Sequence, residues 1–243
     1  MISRSGRRIG SADASRAAPR RGPGPVENEI YRLITEAIVT KQLRPGGRLK
    51  EAALAHHFRV SRPRVRGVLQ RLAELGFVEF RLNFGALVRR PTPEEARAVF
   101  ATRRLLEAEA VRATARRATA KDFERLRLFV RNEKQAFQKR DVTVAMLSSR
   151  FHILVGEMCG NQVLAQVLNQ LVHRCVLIQS LYERASQHTV CLVHEHIAVI
   201  DLMQRGRIQE AVRAMLEHLD HVEAALDYDV GRHIDERVAF AIG

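Results

Sequence analysis

The sequence predicts a mainly α protein in two parts: a small helix–helix–helix–hairpin head, then an all-α bundle of about six helices. Three observations carry that expectation. Apolar residues recur at helical spacing from Val26 to Leu75 and again from Pro93 onward. Only Phe77–Phe80 and Ala86–Arg89 read as strands. The charge is also divided unevenly. Residues 1–92 hold 19 Lys/Arg against 7 Asp/Glu, and residues 93–243 hold 21 against 20. Residues 1–92 therefore contribute +12 of the formal net charge of +13. A basic head on a near-neutral remainder suits a module for nucleic acid or a membrane surface joined to something else.

Residues 1–25 are rich in Arg, Gly, Ala, Ser and Pro without apolar period and read as a disordered basic arm. Being Arg-rich and acid-poor, the arm superficially resembles an organelle transit peptide, but a flexible arm adding non-specific DNA affinity fits the rest of the chain better. The head spans 26–91. Its first helix presents Val26, Ile30, Leu33, Ile34, Ala37 and Ile38 on one face and ends at Leu43-Arg44-Pro45-Gly46-Gly47. A short helix from Lys50 to Phe58 turns Leu54 and Ala55 inward. A third runs from Ser61 to Leu75 with Val65, Val68, Leu69, Leu72 and Leu75 as its inner face, and Gly76 stops it. The two strands follow, with Arg81-Leu82-Asn83-Phe84-Gly85 as the hairpin tip. This order is that of a winged helix-turn-helix.

Thr92-Pro93-Glu94-Glu95 is a helix-start signature and opens a helix to about Arg117. Five more are expected at roughly 119–139, 142–158, 161–185, 190–205 and 208–229, with Asp141 and Asn161 as N-caps and Gly160 and Gly206 at helix ends. The bundle thus covers 92–230, and 231–243 forms a weakly periodic tail. No apolar run approaches the roughly 18 residues that span a bilayer, and no secretory signal is visible. Cys159, Cys175 and Cys191 lack ligand-pair spacing and read as reduced, packed thiols of a cytoplasmic protein. Trp is absent and aromatics are few, which argues against a base-stacking platform for single strands.

The third helix carries the densest chemistry. Arg62, Arg66 and Gln70 fall one above another, opposite Val65 and Leu69. Such a face suits the major groove of double-stranded DNA, where Arg pairs bidentately with guanine and Gln with adenine. Arg64 points elsewhere and suits a phosphate. Ser61 is placed to cap the helix, bind phosphate, or both, at an end whose dipole favours anions. Arg81 and the Arg89-Arg90 pair sit at the wing, within reach of phosphate or the minor groove.

These residues resemble the GntR family of bacterial transcription regulators. That family shows L-x-P-G-x-x-L-x-E-x-x-L-A, then V-S-R-T-P-V-R, then a wing glycine before Val. Leu43–Ala55, Val60–Arg66 and Asn83–Val88 follow this pattern, with Gly85 as the wing glycine. Pro63-Arg64 stands where the family has Thr-Pro, which alters the contacts available there. The bundle resembles the FCD effector domain of the FadR subfamily, through Arg103-Arg104-Leu105-Leu106-Glu107, Phe151-His152, Gly160-Asn161, Glu195-His196 and Met215–Leu219.

From spacing alone, His196 and His218 reach similar heights if their helices are antiparallel about Gly206. His152 lies mid-helix, and a packed histidine is the commoner case for each. The resemblance implies more. It makes these three, with an Asp or Asn four residues before the first, ligands of one divalent ion such as Zn²⁺ or Ni²⁺, beside a small carboxylate effector. The fourth position here is Ser148, a poor ligand. Arg103 is placed to clamp a carboxylate, or to form a surface or interhelical salt bridge, and Arg174 is a second candidate for the clamp. His173 is placed near the cavity with nothing to decide its role. The resemblance also implies a homodimer on a palindromic operator, with effector binding shifting DNA affinity. The competing readings are a three-His hydrolase or dioxygenase and a non-specific nucleic-acid-binding protein. Against the enzyme, no carboxylate base is evident near the histidines, Glu195 lying about 100° around its helix from His196.

Overall fold

The computed structural model describes residues 24–139, 144–183 and 193–229. Asp141, Cys191, the tail and all but the last two residues of the expected arm lie outside these ranges. Gly24 and Pro25 do not belong to an arm: Gly24 is the N-cap of α1 (Pro25–Val39), with proline at a position that needs no N–H. Then come β1 (Arg48–Leu49), α2 (Glu51–His57), α3 (Arg62–Glu74), β2 (Val78–Arg81) and β3 (Gly85–Val88). The bundle holds α4 (Pro93–Arg117), α5 (Ala120–Gln138), α6 (Val144–Met158), α7 (Gln162–Tyr182), α8 (Val193–Gln204) and α9 (Ile208–Ala224). The sheet is antiparallel in the order β1-β3-β2, with Phe80 opposite Ala86 and Arg81 opposite Gly85. β1 was not expected; two residues are too few to show a period.

The helix starts follow from their caps. The Thr92 hydroxyl accepts from the Glu95 N–H at 3.1 Å, and the Asn161 side chain accepts from the Leu164 N–H at 3.1 Å. Thr119 and Asp122 form a reciprocal capping box. Ser61 occupies the N-cap of α3 but makes no capping hydrogen bond.

Among the described residues, three apolar clusters form the core. The head closes over Ile30, Ile34, Val65, Leu69, Leu72 and Phe77, and Val176 and Leu177 of α7 enter the same cluster. The bundle packs around Phe123, Leu126, Phe151, Leu154, Leu168 and Ile200. A third cluster joins α4 to α7 through Phe100, Cys175, Ile178 and Tyr182. Each fully buried Leu, Ile or Phe contributes about 1.5–3 kcal/mol against staying in water. Because α7 feeds all three, it ties the head to the bundle. Polar contacts reinforce that joint: the Tyr182 hydroxyl donates to the Pro91 carbonyl at 2.7 Å, and Arg89 pairs with Glu95 at 2.7 Å.

Candidate DNA interface and metal-binding cavity

Burial of Val65, Val68, Leu69 and Leu72 fixes the rotation of α3. Arg62, Arg66 and Gln70 are therefore exposed together on its outer side. Arg66 meets only a loose contact with Glu51, at 3.8 Å. Arg64, expected to be available for phosphate, is already engaged. Its Nε donates to Glu27 Oε1 at 2.6 Å and its NH2 to Oε2 at 2.9 Å. That hydrogen-bonded pair holds the Glu27 carboxyl at about 2. Pro63 stands in the first turn of α3, where no N–H is needed.

The wing differs from expectation in the same way. Arg81 remains exposed, though its Nε contacts Glu79 at 2.6 Å. Arg89 is half-buried in the joint with α4, where Glu95 occupies it, so it faces the bundle rather than DNA. Gly85 has φ +76°, a conformation that a side chain would strain, and a Cβ there would meet nothing.

In the bundle, α6, α8 and α9 bring His152, His196 and His218 together, all buried. Their Nε2 atoms converge: His196 to His218 is 3.1 Å and His218 to His152 is 3.2 Å. Each Nδ1 meets a carboxylate. His152 faces Glu107 at 2.5 Å, His196 faces Glu133 at 2.9 Å and His218 faces Glu195 at 2.7 Å. These three carboxylates overturn the expectation that none stands near the histidines. Glu107 and Glu133 come from α4 and α5, so no local spacing links them to their histidines. Glu195 reaches His218 across the α8–α9 contact rather than its neighbour His196.

Charge states follow from the surroundings. Burial alone would push the Glu107 carboxyl up, but Arg103 and His152 beside it hold it at about 2. Burial pulls the His152 imidazole down to about 3 against the attraction of Glu107. Burial and the neighbouring His196 pull His218 down to about 4. Burial opposes ionisation of Glu195, yet hydrogen bonds from His218 and His221 win and hold it at about 2. Neutral His152 and His218, donating Nδ1–H to Glu107 and Glu195, would turn their Nε2 lone pairs inward.

That donor set fits a cation. With metal–nitrogen bonds of about 2.1 Å, ligands at right angles sit about 3.0 Å apart and tetrahedral ones about 3.4 Å apart. The observed separations of 3.1 and 3.2 Å lie between these values. Carboxylates on the outer nitrogens fix the tautomer and raise the basicity of the inner ones.

A small cavity adjoins the triad, lined by Arg103, Ser148, His152, Cys175, Gln179 and His218 among others. Arg103 is 3% exposed and donates from Nε to Glu107 at 2.7 Å, while its NH2 has no hydrogen-bond partner. The salt bridge is buried and lies within α4, between residues four apart, rather than at the surface or between helices as expected. Arg174 is not there. Its side chain lies across Gly76, where a Cβ would come within 2.5 Å of Arg174 Cγ, so it belongs to the joint with the head. His173 also leaves the cavity and packs edge-on against Phe77, with ring centroids 5.8 Å apart.

Comparison with known proteins matches this geometry. Residues 26–88 match the bacterial regulatory proteins of the gntR family, and residues 98–221 match the FCD domain. The chain belongs to the GntR family of bacterial transcription regulators, in the branch with an FCD domain. The HTH-type transcriptional repressor RspR of Escherichia coli is 23% identical over 203 residues, 83% of this chain and 89% of that protein. The Nta operon transcriptional regulator of Aminobacter aminovorans is 25% identical over 191 residues, 78% and 89% of the two chains. Among solved structures, Escherichia coli McbR/YncC shares the fold with a TM-score of 0.69 at 16% identity, covering 83% of this chain and 96% of its own. These relatives and domains are those of DNA-binding transcription regulators, not enzymes, and the hydrolase or dioxygenase alternative is set aside. Among the described residues, no helix is long and apolar enough to cross a membrane.

Proposed function

We propose that this regulator binds a palindromic DNA site as a dimer and changes its affinity when a small carboxylate enters the bundle beside a divalent ion. The observation that carries the ligand class is the Arg103 NH2, a buried cationic donor without a partner, lining a cavity next to three convergent imidazoles. A buried guanidinium left half-paired favours an anionic, hydrogen-bonding guest. His152, His196 and His218 would hold the ion through Nε2. Bound there, it would supply a Lewis-acidic positive charge for a carboxylate oxygen. Ser148 and Ser149 line the cavity as neutral hydroxyls, so Ser148 leaves the ligand set without the carboxylate that the resemblance implies at that position.

In the head, Arg62, Arg66 and Gln70 would read base edges, while Ser61 and Arg81 contact phosphate. Each chain offers one such helix, so a palindrome with half-sites one helical turn apart takes two copies. Leu105 on α4 and Val163 and Val167 on α7 are exposed apolar side chains suited to meeting a second copy.

Coupling would run through α7 and α6. α7 lines the cavity with Val172, Cys175 and Gln179 and enters the head core with Val176 and Leu177. α6 lines it with Ser148 and His152, and its Met146 packs on the head core. A guest that moves either helix therefore moves a surface on which α3 rests.

The test is fluorescence anisotropy of the full chain on a duplex enriched from a random pool, against a scrambled duplex at the same salt. The expected result is a specificity ratio of roughly 10³ or more, altered by some member of a panel of small carboxylic acids. Equal affinity for both duplexes would overturn the regulator reading.

A further inference from the structure

The tip of the β2–β3 hairpin is apolar and bare. Leu82 is 89% exposed, Phe84 59% and Phe80 40%, and no other large hydrophobic of the described head residues is exposed. The tip is also held firmly. The Phe84 N–H donates to the Arg81 carbonyl at 3.1 Å, while Asn83 and Gly85 take positive φ of 65° and 76°. Polar residues normally fill such turns because they satisfy their own backbone. Two large apolar side chains flanking Asn83 gain nothing from water. None of the described residues buries them, and a contiguous exposed apolar tip of this kind marks an interaction site.

Three features name the occupant. The head is cationic, with 13 Lys/Arg against 6 Asp/Glu over residues 26–91, which favours a polyanion over a neutral protein surface. Arg81 stays exposed at the base of the tip and Arg48 is exposed on β1, two strands away in the same sheet. The sheet is also continuous with the DNA-facing helix, since α3 packs directly against β2. An apolar point with an arginine at its base, beside a major-groove helix, has the makeup of a minor-groove wedge, in which Leu or Phe side chains enter a base step and part its stack.

We propose that Leu82 and Phe84 form an apolar wedge that inserts into the minor groove of bound DNA and unstacks one base step per bound head. This rests on the reading of α3 as the major-groove element. Asn83 faces the groove between them, where a short amide accepts the left-handed backbone that the turn requires. The step favoured would be a pyrimidine–purine one, since these unstack most readily. Discrimination would then arise at positions that α3 never touches.

The experiment uses the full chain and a duplex enriched by it from a random pool. 2-Aminopurine replaces each flanking adenine in turn, and a donor–acceptor dye pair on the duplex ends reports bending. The wild type is expected to raise 2-aminopurine emission several-fold at one step of each bound half-site and to shorten the end-to-end distance. L82S/F84S is expected to lose both signals while keeping its circular dichroism and a reduced preference for the enriched duplex, carried by α3. Selective binding by the wild type with no emission rise and no bend overturns the wedge, as does a double variant that retains both. A double variant that changes oligomeric state without DNA assigns the tip to a second copy and overturns it too. Absence of any sequence preference in the wild type is a different failure, and it removes the underlying reading of α3 as well.

Discussion

The head and the bundle both depend on charged residues, and they treat them oppositely. In the head, Arg62, Arg66 and Arg81 stand in water. In the bundle, Arg103, Glu107, Glu133 and the three histidines are buried and paired. Solvated arginines cost little to hold and release counterions on meeting phosphate, so they bind reversibly and in a salt-dependent way. Buried ions must be neutralised in advance by fixed partners, or the fold loses several kcal/mol. Under the proposed function, the difference separates a surface that would recognise by encounter from a site organised before any guest arrives.

The largest effect should come from breaking the buried side. Glu107→Ala removes the partner of both Arg103 and His152 and is expected to destabilise the chain by about 3–5 kcal/mol, read from denaturant midpoints. An unchanged midpoint would mean that Arg103 reaches another counter-charge and the organised site is misread. On the exposed side, Arg62→Ala and Arg66→Ala should each cost about 1–3 kcal/mol of discrimination between enriched and scrambled duplexes, with stability barely moved. Anisotropy titrations that show equal losses on both duplexes would demote these residues to phosphate contacts.

Smaller effects sharpen the contrast. Glu133→Gln leaves all three imidazoles in place but weakens the anchor of His196, and divalent metal affinity should fall by about 10–100-fold by calorimetry. At the joint, Gly76→Ala should cost about 1–2 kcal/mol for its φ of +82° and in addition push Arg174 aside. Thermal unfolding of the head then separates from that of the bundle. The smallest effect is expected for Arg64→Ala. With Glu27 already holding this guanidinium, the slope of log affinity against log salt should change by less than about 1. A full unit would show that DNA displaces Glu27.

Much of this was legible in the sequence, and the misses share a cause. Helical period located α1 and α3 and put Arg62, Arg66 and Gln70 on one face, because burial of Val65 and Leu69 leaves the rotation no choice. The turn at Gly206 correctly brought His196 and His218 level. Period says nothing, however, about which side chain on another helix lies opposite. Arg64 finds Glu27 37 residues away, and His196 finds Glu133 63 residues away. Arg174 and Cys175 are neighbours in sequence, yet one turns to Gly76 and the other to the cavity, a division made by how α7 is wedged between head and bundle. Arg89 read as a wing cation because the strand ends there, but the same position begins the joint where Glu95 waits.

The central claim is that the three histidines and their carboxylates form a metal centre assembled by the fold itself. Calorimetric titration of Zn²⁺ or Ni²⁺ into the chelator-treated full chain tests it most directly. The account predicts one tightly bound ion per chain, with loss of that binding in His152→Ala and His218→Ala. A wild type that takes up no more metal than those variants would contradict it.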